Sequence, residues 1–279
     1  MMAPALQVVL FDLDDTLFAH RRAVADGILQ HMHSTGGVFA QAEPAAAITL
    51  WNSLEERHYH SYLAGRLDFQ GQRRARARDF AAAHGVELAE ADAGAWFDAY
   101  FLHYQESWTL HDDALPCLDA LAATGIRLGL ITNGDLAFQR RKLQATGLDS
   151  RFEHVVASGE LGVAKPDPAI FRHTCALFGV EPAAAAYVGD RLRTDAIGAA
   201  RAGLTGVWLN RYAAASVRAV ADSIESATAE LGAAAPGAAD GAQQALDSEQ
   251  AAEANEAEQV GVIRIEGLAE LPFALGLAR

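Results

Sequence analysis

Basic charge is scarce in this sequence: 22 Lys and Arg stand against 36 Asp and Glu, a formal net charge of −14. A surface that tracks nucleic-acid phosphates needs a basic stripe, so the imbalance argues against a nucleic acid polymer as partner. Cysteine is nearly absent. Cys117 and Cys175 each lie in an apolar helical context without metal-ligand spacing, which argues against a disulfide framework and favours a reducing, cytoplasmic setting. Long apolar runs are missing as well: no stretch approaches about 18 uninterrupted apolar residues. The first residues carry no basic region, and their apolar run soon meets Asp12. The expectation is a soluble, unexported protein with no membrane partner. Between Arg218 and Arg264 there is no Lys or Arg at all.

What is present centres on Val8-Val9-Leu10-Phe11-Asp12-Leu13-Asp14-Asp15-Thr16-Leu17. An apolar, β-branched and aromatic run that ends abruptly in acid reads as a buried parallel strand whose carboxyl end carries chemistry. In extended backbone Asp12 and Asp14 share one face, and two carboxylates that close ask for a cation or a basic residue. Hard oxygen ligands of this kind suit Mg²⁺. The competing reading is a strand followed by a capped turn, because Asp-Asp-Thr is also good capping chemistry.

The 279 residues allow one large domain or two smaller ones. After Thr16 helical periodicity dominates, over roughly 22–34, 43–63, 67–84 and 90–106, with no convincing strand among them. Arg73-Arg74-Ala75-Arg76-Ala77-Arg78 is the densest positive run, and a solvated helix face explains it better than a binding role. His58 and His60 fall on different faces of one helix, and His103 and His111 read as structural.

From about 112 strands and helices alternate. Strands are expected at 126–131, 155–157, 185–188, 206–209 and 262–265, with helices at 136–146, 168–179, 195–202 and 268–275. Such alternation implies right-handed crossovers, a parallel sheet covered on both faces, and ligands at the strands' carboxyl ends. Residues 211–259, rich in Ala, Gly, Glu, Gln and Ser, break the rhythm. They read as a frayed helix followed by a disordered or loosely helical acidic insertion.

Three later stretches join the first. Ile131-Thr132-Asn133-Gly134-Asp135 leaves a strand for a helix, where exposed N–H groups and the helix N-terminus make a phosphate seat. In Lys165-Pro166-Asp167-Pro168, Pro166 keeps Lys165 extended, Asp167 caps the next helix and Pro168 stands at its first position. Tyr187-Val188-Gly189-Asp190 again ends a buried strand in acid, with Asp195 close behind.

In this order the four stretches resemble the motifs of the haloacid dehalogenase (HAD) superfamily, in its branch with a helical cap inserted after the first strand. The resemblance covers most of the chain outside 211–259, and Asp15 stands where many relatives carry Gly. It implies an α/β fold: a doubly wound, Rossmann-like parallel-sheet core of residues 1–18 and 110–279, carrying an all-helical cap at 19–109.

The activity it implies is a Mg²⁺-dependent phosphatase acting on small phosphorylated metabolites through a phosphoaspartate. Asp12 would be the nucleophile and Asp14 the acid and base. Leu13, Asp14, Thr132, Asn133, Gly134 and Lys165 would hold the phosphate, with Thr132 and Lys165 serving catalysis as well. Mg²⁺ would be held by Asp12, Asp190 and the Asp14 carbonyl, with Asp195 supporting through water or hydrogen bonds. The cap would close over the leaving group, in a monomer or homodimer. Phosphomutases resemble the phosphatases in all four motifs. Metal-free haloacid dehalogenases lack the second aspartate, so Asp14 favours phosphate. A phosphoacceptor signalling domain gathers similar groups but lacks a cap and would be about half as long.

Overall fold

A computed structural model describes residues 5–211 and 251–277, with the Leu63 side chain excepted. The chain divides into two compact units, one of Met1–Phe18 with Leu110–Arg279 and one of Ala19–Thr109.

The first unit is built on a six-stranded sheet. Its strands are β1 (Val8–Phe11), β2 (Arg127–Thr132), β3 (His154–Ala157), β4 (Ala185–Gly189), β5 (Thr205–Leu209) and β6 (Ile263–Ile265). They lie in the order β3-β2-β1-β4-β5-β6, and every neighbouring pair is parallel. β1 and β4 are buried throughout, as apolar runs must be when helices cover both faces. The chain winds outward from β1 through β2 and β3, then returns to β4 on the other side of β1. The loops leaving β1 and β4 therefore diverge, and a crevice opens at this topological switch point.

The helices of this unit are α5 (Ala114–Ala123), α6 (Leu136–Ala145), α7 (Ser158–Leu161), α8 (Pro168–Phe178) and α9 (Gly198–Ala202). Local chemistry sets where they start. Asp135 caps α6 by accepting from the Phe138 N–H at 2.8 Å, and Asp167 caps α8 by accepting from Ala169 N–H at 2.8 Å, with Pro168 at the first turn. The helix expected at 195–202 begins earlier and differently: Leu192–Ile197 forms a π-helical turn before α9. That wider turn folds the Asp195 carboxylate back onto the Arg191 N–H at 3.0 Å.

Of the segment expected to be a loose acidic insertion, 212–250 lies outside the described residues. Of the two alternatives read for its last part, the helical one holds: residues 251–259 are helical. The sequence offers no basic residue nearby, but the sheet unit supplies two: Arg193 pairs with Glu253 at 3.7 Å and Arg201 with Glu256.

The second unit is all helical, with α1 (His20–Thr35), α2 (Pro44–Leu63), α3 (Phe69–Ala83) and α4 (Glu90–Glu106). α1 and α4 approach so closely at Gly27 that a Cβ there would lie 2.7 Å from the Tyr104 Cα. Trp51 is fully buried and meets Tyr100 edge-on at 4.6 Å and Phe80 at 5.2 Å.

The arginine run of α3 corrects the expectation of a solvated face. Arg76 is buried, donates to Glu55 at 3.1 Å and lies 3.8 Å from the Trp51 ring centre. Arg74 and Arg78 both pair with Glu90, and Arg73 packs on the rings of Phe69, Phe97 and Phe101. Two neighbouring helices, α2 and α4, supply most of the acid and aromatic partners, which a charge count along one helix does not reveal. His58 bonds to Asp79, and His103 to Ser34. Among the described residues no helix is long and apolar enough to cross a membrane.

Candidate active site

The site grows from the register of β1. Phe11 pairs with Val188, and the ladder continues one residue further as the Asp12 N–H donates to the Val188 carbonyl at 2.8 Å. Asp12 therefore leaves the sheet beside Gly189 and Asp190. Beyond it the chain turns back: Leu13 is fully buried, and its carbonyl accepts from Leu17 and Phe18 at 3.0 and 2.9 Å. The turn requires Asp15 at φ 60, a left-handed conformation that Asp tolerates and Gly adopts without strain.

Lys165 is the hub. Its ammonium group donates to Asp12 Oδ1 at 2.6 Å, Asp195 Oδ1 at 2.7 Å and the Tyr187 hydroxyl at 2.6 Å. The tyrosine hydroxyl in turn donates to the Ile131 carbonyl at 3.0 Å. The Lys165 backbone is fixed on both sides by the Asn133 side chain, which accepts from the Lys165 N–H at 2.9 Å and donates to its carbonyl at 3.0 Å. Asn133 thus positions the lysine through its side chain. The Gly134 N–H donates to Ser158 Oγ at 2.9 Å.

Asp12, Asp190 and Asp195 each offer an oxygen within 4.8 Å of the others. Burial is the largest influence on Asp12; with the Asp195 and Asp14 charges it outweighs Lys165 and pushes the carboxyl up to about 7. Asp190 is pushed up to about 8, again mainly by burial and then by Asp12 and Asp195. Lys165 is raised despite its burial, because two carboxylates hold its charge. Three convergent hard oxygen donors with more negative charge than one ammonium group balances form a donor set that suits a small divalent cation. Both Asp195 oxygens already accept from protein donors, Lys165 and the Arg191 N–H, which matches a supporting place in that set.

Asp14 does not join this cluster through its side chain. Its carboxylate turns to α6, where Lys142 donates to Oδ1 at 2.6 Å and Gln139 Nε2 to Oδ2 at 3.1 Å. The same Gln139 amide donates to Thr132 Oγ1 at 2.9 Å. Each of the two aspartates read as convergent therefore has its own lysine. Lys142 escapes a sequence reading because Arg140, Arg141 and Lys142 look like one solvated basic run, of which only Lys142 is buried. The available signal is spacing: Gln139 and Lys142, three apart, share a helix face just after the Thr132-Asn133 turn. Tyr187 and Ser158 carry no comparable signal.

The chain matches the family of haloacid dehalogenase-like hydrolases over residues 6–203. It is 33% identical over 211 residues to N-acylneuraminate-9-phosphatase of Rattus norvegicus, covering 74% of this chain and 83% of the relative. It is 31% identical over 217 residues to glyceraldehyde 3-phosphate phosphatase of Methanopyrus kandleri, covering 74% and 84%. The solved structure of the putative HAD-hydrolase YfnB from Bacillus subtilis aligns at TM-score 0.66 and 18% identity, over 98% of this chain and 100% of that one. That likeness is one of fold. With the motif order, the sheet order and the sequence match in agreement, the chain belongs to the haloacid dehalogenase-like hydrolases.

Proposed function

We propose that the protein is a Mg²⁺-dependent phosphatase that hydrolyses phosphate monoesters of small metabolites through a phosphoaspartate on Asp12. The observation that carries the reading is the gathering of Asp12, Asp190 and Asp195 within 4.8 Å of one another, with the Lys165 ammonium group bonded to Asp12 and Asp195 and with Asp14 two residues beyond the nucleophile. The names of the relatives support the phosphate ester class.

In the first step an Asp12 oxygen attacks phosphorus in line while the bond to the ester oxygen breaks. Asp14 delivers its proton to that oxygen, and the alcohol leaves. In the second step Asp14, now a carboxylate, takes a proton from water. The water oxygen attacks phosphorus, the acyl phosphate bond breaks, and Asp12 and inorganic phosphate are released. The Thr132 hydroxyl and the Lys165 ammonium group hold the phosphoryl oxygens through both steps, with Leu13, Asn133 and Gly134 completing the seat. The cation would be held by Asp12, Asp190 and the Asp14 carbonyl, with support from Asp195. When bound it supplies charge neutralisation between the carboxylates and the phosphate dianion.

The first substrates to test are N-acylneuraminate 9-phosphate and glyceraldehyde 3-phosphate, the compounds named by the two relatives. The two cysteines are free and buried, which fits the reducing cytoplasm where such metabolites occur.

A panel of phosphorylated metabolites assayed with and without Mg²⁺ tests the reading. Asp12→Asn should abolish turnover while leaving the circular dichroism spectrum intact, and beryllofluoride with Mg²⁺ should raise the Tm of the wild type but not of the variant. Normal turnover by Asp12→Asn would overturn the assignment.

A further inference from the structure

Lys142 holds a place that a surface helix gives no reason to expect. Its side chain is only 3% exposed, its ammonium nitrogen lies 5.0 and 4.9 Å from the ring centres of Phe18 and Phe138, and its carboxylate partner is Asp14. Gln139, also 3% exposed, reaches the second oxygen of the same carboxylate. Burying a lysine is costly, and an ion pair offsets that cost only in part, so stability alone is a poor reason for the arrangement. The two donors grip both oxygens of Asp14 at once, which fixes the plane of the carboxyl group as well as its position. Gln139 extends the grip to Thr132 Oγ1, so one amide links the proposed acid to the proposed phosphate seat. Both side chains stand on α6, whose start is set by the Asp135 cap next to Asn133 and Gly134.

We propose that Lys142 and Gln139 are positioning residues for the Asp14 carboxyl group, holding it at a fixed place relative to Thr132 so that it meets the leaving oxygen of the substrate. This rests on the phosphatase reading and on Asp14 as its acid. Lys142 acts through Asp14 alone, and Gln139 through Asp14 and Thr132. Loss of Lys142 therefore affects turnover that depends on protonating the leaving group and spares turnover that does not.

The experiment compares an alkyl phosphate with p-nitrophenyl phosphate, whose phenolate leaves with little protonation. For Lys142→Met, kcat on the alkyl ester should fall by about 10- to 100-fold, since a misplaced acid forfeits much of its contribution. KM should stay within about threefold, and kcat on the p-nitrophenyl ester should fall by no more than about threefold. Lys142→Arg should recover most of the loss, because it restores a buried cationic donor. In an Asp14→Asn background, Lys142→Met should change the residual rate by less than about twofold, the non-additivity that marks action through one group.

Equal losses on the two esters, or a full additive loss in the Asp14→Asn background, would overturn the positioning role. Should Lys142→Met fail to fold, Gln139→Leu keeps the ion pair but also frees Thr132 Oγ1, so a loss common to both esters is expected from Thr132 and the positioning role is read from the further loss on the alkyl ester alone, whose absence would overturn the proposal. Full alkyl-phosphate turnover by Asp14→Asn would overturn the acid assignment beneath it. A crippled Asp14→Asn beside an unimpaired Lys142→Met would remove the positioning role alone.

Discussion

Gly189 faces the Asp195 carboxylate so closely that a methyl group on its Cα would lie 2.4 Å from the carboxyl carbon. Glycine at the end of β4 is thus what allows the π turn to bring Asp195 under Lys165. Gly189→Ala must push Asp195 away and stretch its 2.7 Å bond to the lysine. Displacing a group that orients Lys165 should lower kcat by at least about tenfold, and the overlap should destabilise the fold by roughly 1–3 kcal/mol. Steady-state kinetics and urea unfolding check the two effects separately. An alanine variant with native activity would show that Asp195 need not stay where it is.

The loop that carries Asp14 and Asp15 is braced from behind. Arg211 donates to both Asp113 oxygens at 2.8 and 2.7 Å and to the Thr16 carbonyl at 2.9 Å, and Asp113 also accepts from the Leu268 N–H at 2.8 Å. Burial disfavours the ionised Asp113, yet Arg211 and the Leu268 amide hold its carboxyl below the usual range. Arg211→Met should therefore cost roughly 2–3 kcal/mol, at the lower end for a partly buried pair. Asp113→Ala should cost more, because it strips the Leu268 N–H of its acceptor as well. Chemical denaturation of the two variants gives the order, and a smaller loss for Asp113→Ala would contradict it.

Which parts were legible from the sequence follows the range of the forces involved. The strands and most helices were readable because burial on both faces leaves apolar runs and because Asp135, Asp167, Pro168 and their neighbours signal helix starts within a few residues. Asp12 and Asp190 stand out in the sequence because each follows a strand, and Thr132 because it closes β2, where sheet topology gathers ligands; Lys165, beyond α7, stands out through Pro166 and Asp167 beside it. Lys142 and Gln139 do not stand out in the sequence because their contact with Asp14 spans more than a hundred residues. The α3 arginines were misread for the same reason: Glu55, Glu90 and Trp51 lie on other helices. The π turn at Leu192–Ile197 has no local pattern that separates it from an ordinary helix start.

Arg76 offers a test of that long-range chemistry within the helical unit. Its guanidinium stacks 3.8 Å from the Trp51 ring centre and bonds to Glu55. Lysine keeps the charge but not the flat, weakly hydrated face, so Arg76→Lys should destabilise the protein by about 1–2 kcal/mol. Arg78→Lys should cost less than about 0.5 kcal/mol, since Arg78 is exposed and its pair with Glu90 is solvated. Urea midpoints for the two conservative changes should separate cleanly. Equal, small losses would mean that stacking on Trp51 contributes little.

His31 makes the pH dependence of stability predictable. It is 4% exposed on α1, its ring meets Trp96 edge-on at 4.2 Å, and neither ring nitrogen has a hydrogen-bond partner. Burial first, and then the neighbouring His103, push its pKa down from 6.5 to about 4. In the unfolded chain the imidazole takes up its proton near 6.5, while in the folded protein it resists until about 4. Between these values this imidazole binds more protons in the unfolded state, so its contribution to stability falls as pH is lowered through the window. Above it the imidazole is neutral in both states and contributes no slope. The loss across the window should be on the order of 2–3 kcal/mol. His111, also lowered by burial and by Arg211, adds to it in the same direction. The raised carboxyls of Asp12 and Asp190 act in the opposite direction over the same range but are common to both proteins, so His31→Leu should gain on the wild type by the loss that His31 alone contributes when the pH is lowered from 7 to 4.5. Urea unfolding of both proteins at the two pH values decides the matter: a stability difference between them that does not change with pH would show that His31 titrates alike in the folded and unfolded chains.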